Sequence, residues 1–447
     1  MHLLKWLYPG MRFKRWLFLF AVGVMMVSLG LAVVFNYKYI DNIEELIFRT
    51  VYMWTGTYYY MVTAVVGSVV ILVGSIIMLL ATRMIIRSVI TVLLPDSSDK
   101  LVDLIYEKRK LNRGPAVTVI GGGTGLSVLL RGIKEATSNV TAVVTVADDG
   151  GSSGRLREEL GIIPPGDLRN CLVALADTEP LMEKLFQHRF GGTSELAGHS
   201  FGNLFIAAMT EVTGDVETAL KESSKVLAVK GRVLPASTEI VRLNATMTDG
   251  SVVEGESQIP LVHKRIHRVH LSPEHVKPVA SSIEAIKKAD AIILGPGSLY
   301  TSIMPNLLVD DVAKTLRESK AVKIYICNVM TQSGETDGYT ASMHAKAILD
   351  HAGPGSIDYV LVNSGVISPE LQEFYAKQNS FPVLVDEDEL NALGVGFVKA
   401  DIISETNVIH HDPVKLSRNV MKMVYGLKAN PENMRMLDYY MTGNKLK

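Results

Sequence analysis

The stretch Ala116–Lys134, "AVTVIGGGTGLSVLLRGIK", decides the fold. An apolar run, Val117 to Ile120, enters Gly121, Gly122, Gly123, Thr124 and Gly125, and an amphipathic segment leaves them. Strand, glycine loop and helix in that order open a nucleotide-binding α/β unit. A redox dinucleotide site asks for G-x-G-x-x-G, with the third glycine letting the helix pack on its strand. Counted from Gly121, that third position is Leu126, so the fingerprint fails. No G-K-[ST] follows, which excludes a nucleoside triphosphate P-loop. What remains is a row of backbone N–H groups at a helix N-terminus, a place that favours an anion. A plain tight turn is the rival reading; a phosphate or diphosphate loop is the stronger one.

The second strand of the pattern, Val140–Val146, runs into "VADDGGSSGRLREELGI". Asp148 and Asp149 then stand at its carboxyl end, where open α/β sheets hold ligands. Carboxylates there can accept ribose hydroxyls or hold Mg²⁺ against phosphates. Gly150 and Ser153 add donors, and Arg155 adds a cation. In "PPGDLRNCL", Asp167 can cap a helix and Arg169 sits in its first turn. A cation there opposes the helix dipole by a few tenths of a kcal/mol. A charge-assisted bond to phosphate, about 1.5–3 kcal/mol, would reverse that.

"GHSFGNLF" brings His199, read as a structural hydrogen-bonder ahead of a catalyst, and Asn203, read as a ligand contact. "ILGPGSLYTSIMPNL" is a third strand-end loop, offering Gly295, Gly297, Ser298, Thr301 and the ring of Tyr300. "CNVMTQSGETDGYT" is a fourth, with Asn328 as its first amide and Thr336 and Thr340 as exposed candidates for phosphorylation. The histidines of "VHKRIHRVH" (His263, His267, His270) do not share a strand face, so a basic exposed strand is expected there rather than a metal site. Order alone supports no Ser/His/Asp or Cys/His constellation.

Around these loops, apolar runs at Ala291–Leu294, Val322–Cys327 and Tyr359–Val362 read as further buried parallel strands. Leu126–Glu135, Leu168–Ala176, Ser282–Lys288 and Val312–Glu318 read as helices between strands, giving an α/β sheet. Lys225–Leu271 breaks the rhythm and reads as an antiparallel insertion with a hairpin at Asp249-Gly250. Phe381–Val385 is expected to add a strand and Val414–Leu427 a terminal helix.

The N-terminal part is of another kind. The chain has 447 residues, 48% hydrophobic and 20% charged, and the apolar excess lies before residue 95. Trp16–Phe35 and Thr50–Thr82 carry no charged residue, and each exceeds the roughly 18 residues that read as a membrane span. A signal peptide is the rival for the first, but its apolar part is too long and a second span follows. Lys5, Arg12, Lys14 and Arg15 precede the first span. Arg83, Arg87, Lys100, Lys108, Arg109, Lys110 and Arg113 follow the second. The loop between mixes Lys38 and Arg49 with Asp41, Glu44 and Glu45, so both ends are expected on the cytoplasmic side. Four segments follow: a transmembrane hairpin at 1–94, a linker helix at 95–115, a nucleotide-binding domain at 116–428 and a polar tail at 429–447. A net charge of −1 gives no reason to expect nucleic acid. Two cysteines, Cys171 and Cys327, cannot form a disulfide framework.

Taken together, "VIGGGTGLS", "VTVADDGGSSGRLR", "PPGDLRN", "GHSFGNL", "LGPGSLYTSIMPNLLV" and "CNVMTQSGETDGYT" resemble the CofD-like proteins of the YvcK type, the gluconeogenesis factors. The resemblance covers Ala116 to Leu427 and leaves out the hairpin. It implies a Rossmann-like three-layer α/β sandwich with a mostly parallel sheet. It implies binding of a UDP-sugar such as UDP-N-acetylglucosamine, and a role in cell shape and envelope synthesis during growth on gluconeogenic carbon sources. An enzyme relative, 2-phospho-L-lactate transferase, suggests the alternative of a Mg²⁺-dependent transferase. Mg²⁺ enters only with that alternative, with Asp148 and Asp149 as its ligands and Arg155 or Arg169 steadying phosphate charge. By motif, the Gly121–Gly125 loop, Asp148, Asp149, Arg155, Asp167, Asn203 and the Gly295–Thr301 loop would line one cleft. Protein partners in envelope synthesis and a homo-oligomer are expected. An NAD oxidoreductase is the weakest reading, because the fingerprint fails.

Overall fold

The computed structural model describes residues 13–34, 49–50, 52–54, 56, 60–93, 106, 109–177, 180–405 and 409–427. The chain divides into two units, Met1–Lys108 and Arg109–Lys447. The division falls inside the expected linker; most of that linker, the 429–447 tail and the loop between the apolar segments lie outside the described residues.

The first unit contains helices Phe13–Val34 and Tyr60–Leu93. Within them Arg15–Val34 and Ala64–Ser88, of 20 and 25 residues, are long and apolar enough to cross a membrane. They run antiparallel in close contact, with Gly23 against Gly74 and Gly30 against Gly67. A Cβ built on Gly30 would meet the Gly67 carbonyl oxygen at 2.8 Å, and one on Gly23 the Gly74 carbonyl at 2.9 Å. Glycines seven residues apart on each helix therefore let the backbones touch twice. Small residues at such crossings substitute dispersion contact for the hydrophobic drive that lipid does not supply.

The second unit is built on strands β1 (Val117–Gly121), β2 (Val140–Val144), β3 (Arg232–Pro235), β4 (Arg242–Met247), β5 (Val252–Glu254), β6 (Ile266–Ser272), β7 (Ala291–Leu294), β8 (Val322–Ile326), β9 (Tyr359–Asn363), β10 (Gly396–Ala400), β11 (Ile403–Glu405) and β12 (Ile409–His411). Seven of them pair in parallel in the order β10-β9-β8-β7-β1-β2-β3. This is an α/β fold with the strand order of a doubly wound sheet. Every residue of β1, β2 and β7 is buried, which is why they read as unbroken apolar runs. The order reverses between β1 and β7, and the chain leaves these neighbours in opposite directions, opening a crevice at their carboxyl ends.

Two expectations need correction. The antiparallel insertion is shorter than Lys225–Leu271: its first strand, β3, joins the main sheet parallel to β2, and only β4, β5 and β6 form the separate antiparallel sheet. Phe381–Val385 is not a strand; Pro382 makes one isolated bridge to Met330, and its missing N–H ends the pairing there. The seventh parallel strand is instead β10. The terminal helix is Pro413–Leu427, and it lies against helix Gly123–Ile133 so closely that a Cβ on Gly132 would stand 2.1 Å from the Pro413 carbonyl oxygen.

Candidate functional site

The crevice is a cleft of about 900 Å³ at the reversal of the strand order. One wall is the loop after β1, with Gly122, Gly123, Thr124 and Gly125; the facing wall is the loop after β7, with Pro296, Gly297 and Ser298. Glycine is required where the walls meet. A Cβ on Gly125 would lie 2.8 Å from the Pro296 carbonyl oxygen, and Gly123 holds φ at +70°. Behind the walls, the Asn306 amide donates to the Gly121 carbonyl at 3.2 Å and to Ser302 at 2.8 Å, locking the two loops together.

Helix Gly123–Ile133 begins at this cleft with Gly122 as its N-cap, which has no side chain to satisfy the first turn. Its open N–H groups and dipole favour an anion. The cations beside them are Arg131 and Arg169, and no carboxylate is among the lining side chains. His410 and His411 from β12 also line the cleft, burial pushing His411 down to about 4 and so keeping it uncharged near neutral pH. Arg169 donates to Ser200 Oγ and Asn170 Oδ1, each at 2.6 Å, while its buried Nε has no partner. Burial, and then the charge of Arg189, lower the pKa of Arg169, while the carboxylates of Asp167 and Asp148 oppose that shift. Arg131 reaches Glu183 at 3.1 Å in an exposed ion pair worth little.

Of the residues expected at the site, Gly122, Gly123, Thr124, Gly125, Arg169, Gly297, Ser298 and Asn328 line this cleft. Gly121 and Gly295 lie just behind it at strand ends, with Gly295 N bonded to Ile120 O at 2.9 Å. The others take structural posts. Tyr300 is buried and shares a 2.9 Å hydrogen bond with Tyr339, so it is core rather than a stacking face. Thr301 donates to Glu335 at 3.3 Å. Arg155 fastens the Ala197 carbonyl at 2.9 Å. Asn203 donates to Ser152, whose hydroxyl also meets His199 Nδ1 at 3.1 Å, and burial lowers the pKa of His199. Both Asn203 and His199 act as buried structural polar groups here.

The paired aspartates diverge. Asp149 accepts the N–H groups of Glu256 and Ser257 at 3.0 and 2.9 Å, fastening the antiparallel insertion. Asp148 accepts the Gly150 N–H at 2.9 Å, and the Ser153 hydroxyl supports it. The carboxyl that Asp148 faces is Asp167, which takes the Gly123 N–H beneath the glycine loop. Burial, and then the charge of Asp148, push Asp167 up to about 6. Glu256 is pushed up to about 8 by burial and then by Asp148 and Asp149, and Glu335 to about 7 by burial. This acidic group sits next to the cleft rather than in its wall. Among the described residues no three His, Cys, Asp or Glu side chains gather as a ready metal site.

Two other expectations are settled. Thr336 is fully buried and its hydroxyl receives the Gln332 N–H at 2.9 Å, while Thr340 caps helix Ala341–Ala352; Thr336 is therefore not an exposed modification site. His267 and His270 are exposed on β6 and His263 precedes it, as expected of a basic strand. Sequence reasoning missed Arg131, two turns into the first helix, together with Gln332, Tyr375, His410 and His411 on the outer wall. Strand β12 has three residues, too few to show a period.

Comparison with known proteins agrees with this arrangement. The family model described as 2-phospho-L-lactate transferase CofD matches residues 117–403. A "Gluconeogenesis factor" of Bacillus subtilis is 54% identical over 308 residues, covering 69% of this chain and 97% of that protein. A "Putative gluconeogenesis factor" of Nostoc sp. is 46% identical over 425 residues, 94% of this chain and 92% of its own length. A crystal structure of a Bacillus halodurans protein, 54% identical, superposes with a TM-score of 0.68 over 69% of this chain and all of that one. The motifs, the strand order and these matches lead to one statement: the chain belongs to the CofD family, beside the relatives named gluconeogenesis factors.

Proposed function

We propose that this protein binds a UDP-sugar, with UDP-N-acetylglucosamine as the type ligand, and acts as a membrane-tethered gluconeogenesis factor supporting cell shape and envelope synthesis on gluconeogenic carbon. The observation that carries the reading is the cleft wall itself: a helix N-terminus whose cap residue is a glycine, Arg169 with an unpartnered buried Nε, and no lining carboxylate. That combination suits a diphosphate. The Rossmann-like three-layer arrangement belongs to the same reading. So do a homo-oligomer and protein partners in envelope synthesis.

The tether rests on the two apolar helices and on the basic residues flanking them. The second unit lies on the cytoplasmic side in this reading. A reporter fused after Lys447 that is active only outside the cytoplasm would reject it. Calorimetric titration of the full chain with UDP-N-acetylglucosamine, followed by product analysis, tests the ligand: saturable binding with the sugar nucleotide intact is expected, and no heat of binding refutes it.

A second reading, a phospho-group transferase, is favoured by one observation, the enclosed pair Asp148 and Asp167 beneath the glycine loop. Two carboxylates completed by substrate phosphate oxygens fit Mg²⁺, which keeps open positions for phosphate and water. Bound there, Mg²⁺ would neutralise charge on phosphate oxygens. Asp148 and Asp167 would hold it, Arg169 would orient the phosphate, and the glycine loop would exclude side chains from the approach. Metal-dependent product formation that disappears in Asp148→Asn would move the assignment to this reading.

A further inference from the structure

Beside the main cleft lies a second, smaller cavity of about 300 Å³, at the carboxyl ends of β8 and β9. The two share Asn328 and Val329, so a ligand in one can extend into the other. Their chemistry differs. The main cleft carries arginines and histidines, whereas no charged side chain lines the smaller cavity. Val362, Ile367, Val383 and Val385 give it an aliphatic part, and Asn328, Asn363, Gln372 and the Ser364 hydroxyl a polar part of similar extent.

The direction of the Gln372 amide is set by its protein partner. Gln372 Nε2 donates to the Ile367 carbonyl at 2.9 Å, an acceptor that only the amide nitrogen can face. Asn328 Nδ2 donates to Gln332 Oε1 at 3.0 Å, and Gln332 Nε2 in turn donates to Ser298 Oγ at 2.7 Å. Gln372 thus turns its nitrogen into the protein and leaves its carbonyl oxygen to receive a donor, whereas the Asn328–Gln332–Ser298 chain is satisfied by either amide orientation, so Asn328 can donate or accept. Asn363, also in the lining, is used up: its amide bonds Gly365 through both ends, at 3.0 Å each. A cavity of amides and the Ser364 hydroxyl over an aliphatic floor pairs with hydroxyl and N–H groups and offers no cation to phosphate or carboxylate. It also lacks an aromatic ring for a base, whereas the main cleft has Tyr375 and the β12 histidines.

We infer that this cavity is the subsite for the uncharged sugar of a sugar nucleotide, with the diphosphate at the glycine loop and the base against the Tyr375 wall. The inference rests on the proposed function and adds to it a place and a selectivity. Neutral hydroxylated or acetamido sugars fit; a uronic acid does not, because no cation lines the cavity to pair with its carboxylate.

The test is calorimetry on the full chain with inorganic pyrophosphate, UDP, UDP-N-acetylglucosamine and UDP-glucuronate. Expected is binding of UDP-N-acetylglucosamine roughly tenfold tighter than UDP, the worth of about one good hydrogen bond, with UDP-glucuronate no tighter than UDP. Gln372→Leu and the cavity-filling Val383→Phe should erase that tenfold gain and leave UDP binding unchanged, which also shows that both variants are folded. Equal affinities for UDP and both sugar nucleotides, unmoved by either variant, would overturn the subsite while leaving nucleotide binding in place. Binding of none of the four ligands would overturn the proposed function and this inference with it.

Discussion

Asp149 Oδ2 accepts the backbone N–H of Glu256 at 3.0 Å across 107 residues of chain, so the second aspartate of the D-D pair joins the ligand edge of the sheet to the antiparallel insertion. A residue whose type and place suggest a metal ligand is spent on a tertiary contact, and its neighbour Asp148 turns to Asp167 instead.

Asp149→Ala should therefore lower stability by about 2–3 kcal/mol, since it strips two backbone N–H groups of a charged acceptor. Asp149→Asn keeps one acceptor oxygen and should lose about half as much. Urea unfolding of fragment 109–447 reads this out; relatives spanning only this part, such as the Bacillus subtilis protein, exist without the N-terminal unit. Unchanged midpoints in both variants would contradict the fastening role.

Arg169→Met should weaken pyrophosphate and UDP by about 10- to 100-fold, the range for a lost charge-assisted bond. Arg131→Met, removing an exposed cation that already has Glu183, should cost less than about fivefold. Titration of both variants settles the order; a larger effect at Arg131 would reassign the diphosphate.

Gly125→Val sets side-chain carbon against the Pro296 carbonyl, with the first atom already 2.8 Å away. The loops must separate, at about 1–3 kcal/mol of stability. Ligand affinity should fall more than in Gly122→Ala, whose neighbours are the Thr145 methyl and the Asp167 carboxyl oxygen. Paired melting and binding curves check this.

The acidic group makes stability depend on pH in a stated direction. Asp167 near 6, Glu335 near 7 and Glu256 near 8 all hold their protons more tightly in the fold than in the unfolded chain. Between their ordinary values near 4 and about pH 8 the folded state binds more protons, so stability falls as pH rises through that window. Glu256→Gln should match the parent near pH 5 and exceed it by on the order of 1–2 kcal/mol at pH 9, partial exposure discounted. Mg²⁺ should raise the melting temperature more at pH 8 than at pH 6. A gap between variant and parent that shrinks with rising pH would refute the assignment.

Sequence reading succeeded where burial on both faces leaves an unbroken apolar run, as in β1, β2 and β7, and where glycines cluster after such a run. It failed where a strand is short or interrupted. The four residues of β3 end in Pro235, and β10, Gly396–Ala400, has an exposed Lys399 next to its last residue, so neither showed the pattern of a central strand. Phe381–Val385 has the composition of a strand, but Pro382 denies it a ladder. At the site, eight expected residues line the cleft because their loops follow directly from strand ends. Arg155, Asn203, Tyr300 and Thr301 looked alike in sequence, and only tertiary hydrogen bonds distinguish a buried post from a ligand contact. The outer wall from β12 comes from more than a hundred residues downstream of the β7 loop, a distance no local pattern spans.

The lining of the cleft also bears on rates. A ligand with two phosphates approaching it meets Arg131 and Arg169 in the lining, while Asp148 and Asp167 lie beneath the glycine loop. Such a field gathers anions from beyond contact distance and hastens their capture, and dissolved salt weakens it. Association should then slow as ionic strength rises, while departure, governed by short-range contacts inside the crevice, stays nearly constant. Through that difference the cell's ionic composition would set how quickly the protein registers a change in its ligand, apart from how tightly it holds it.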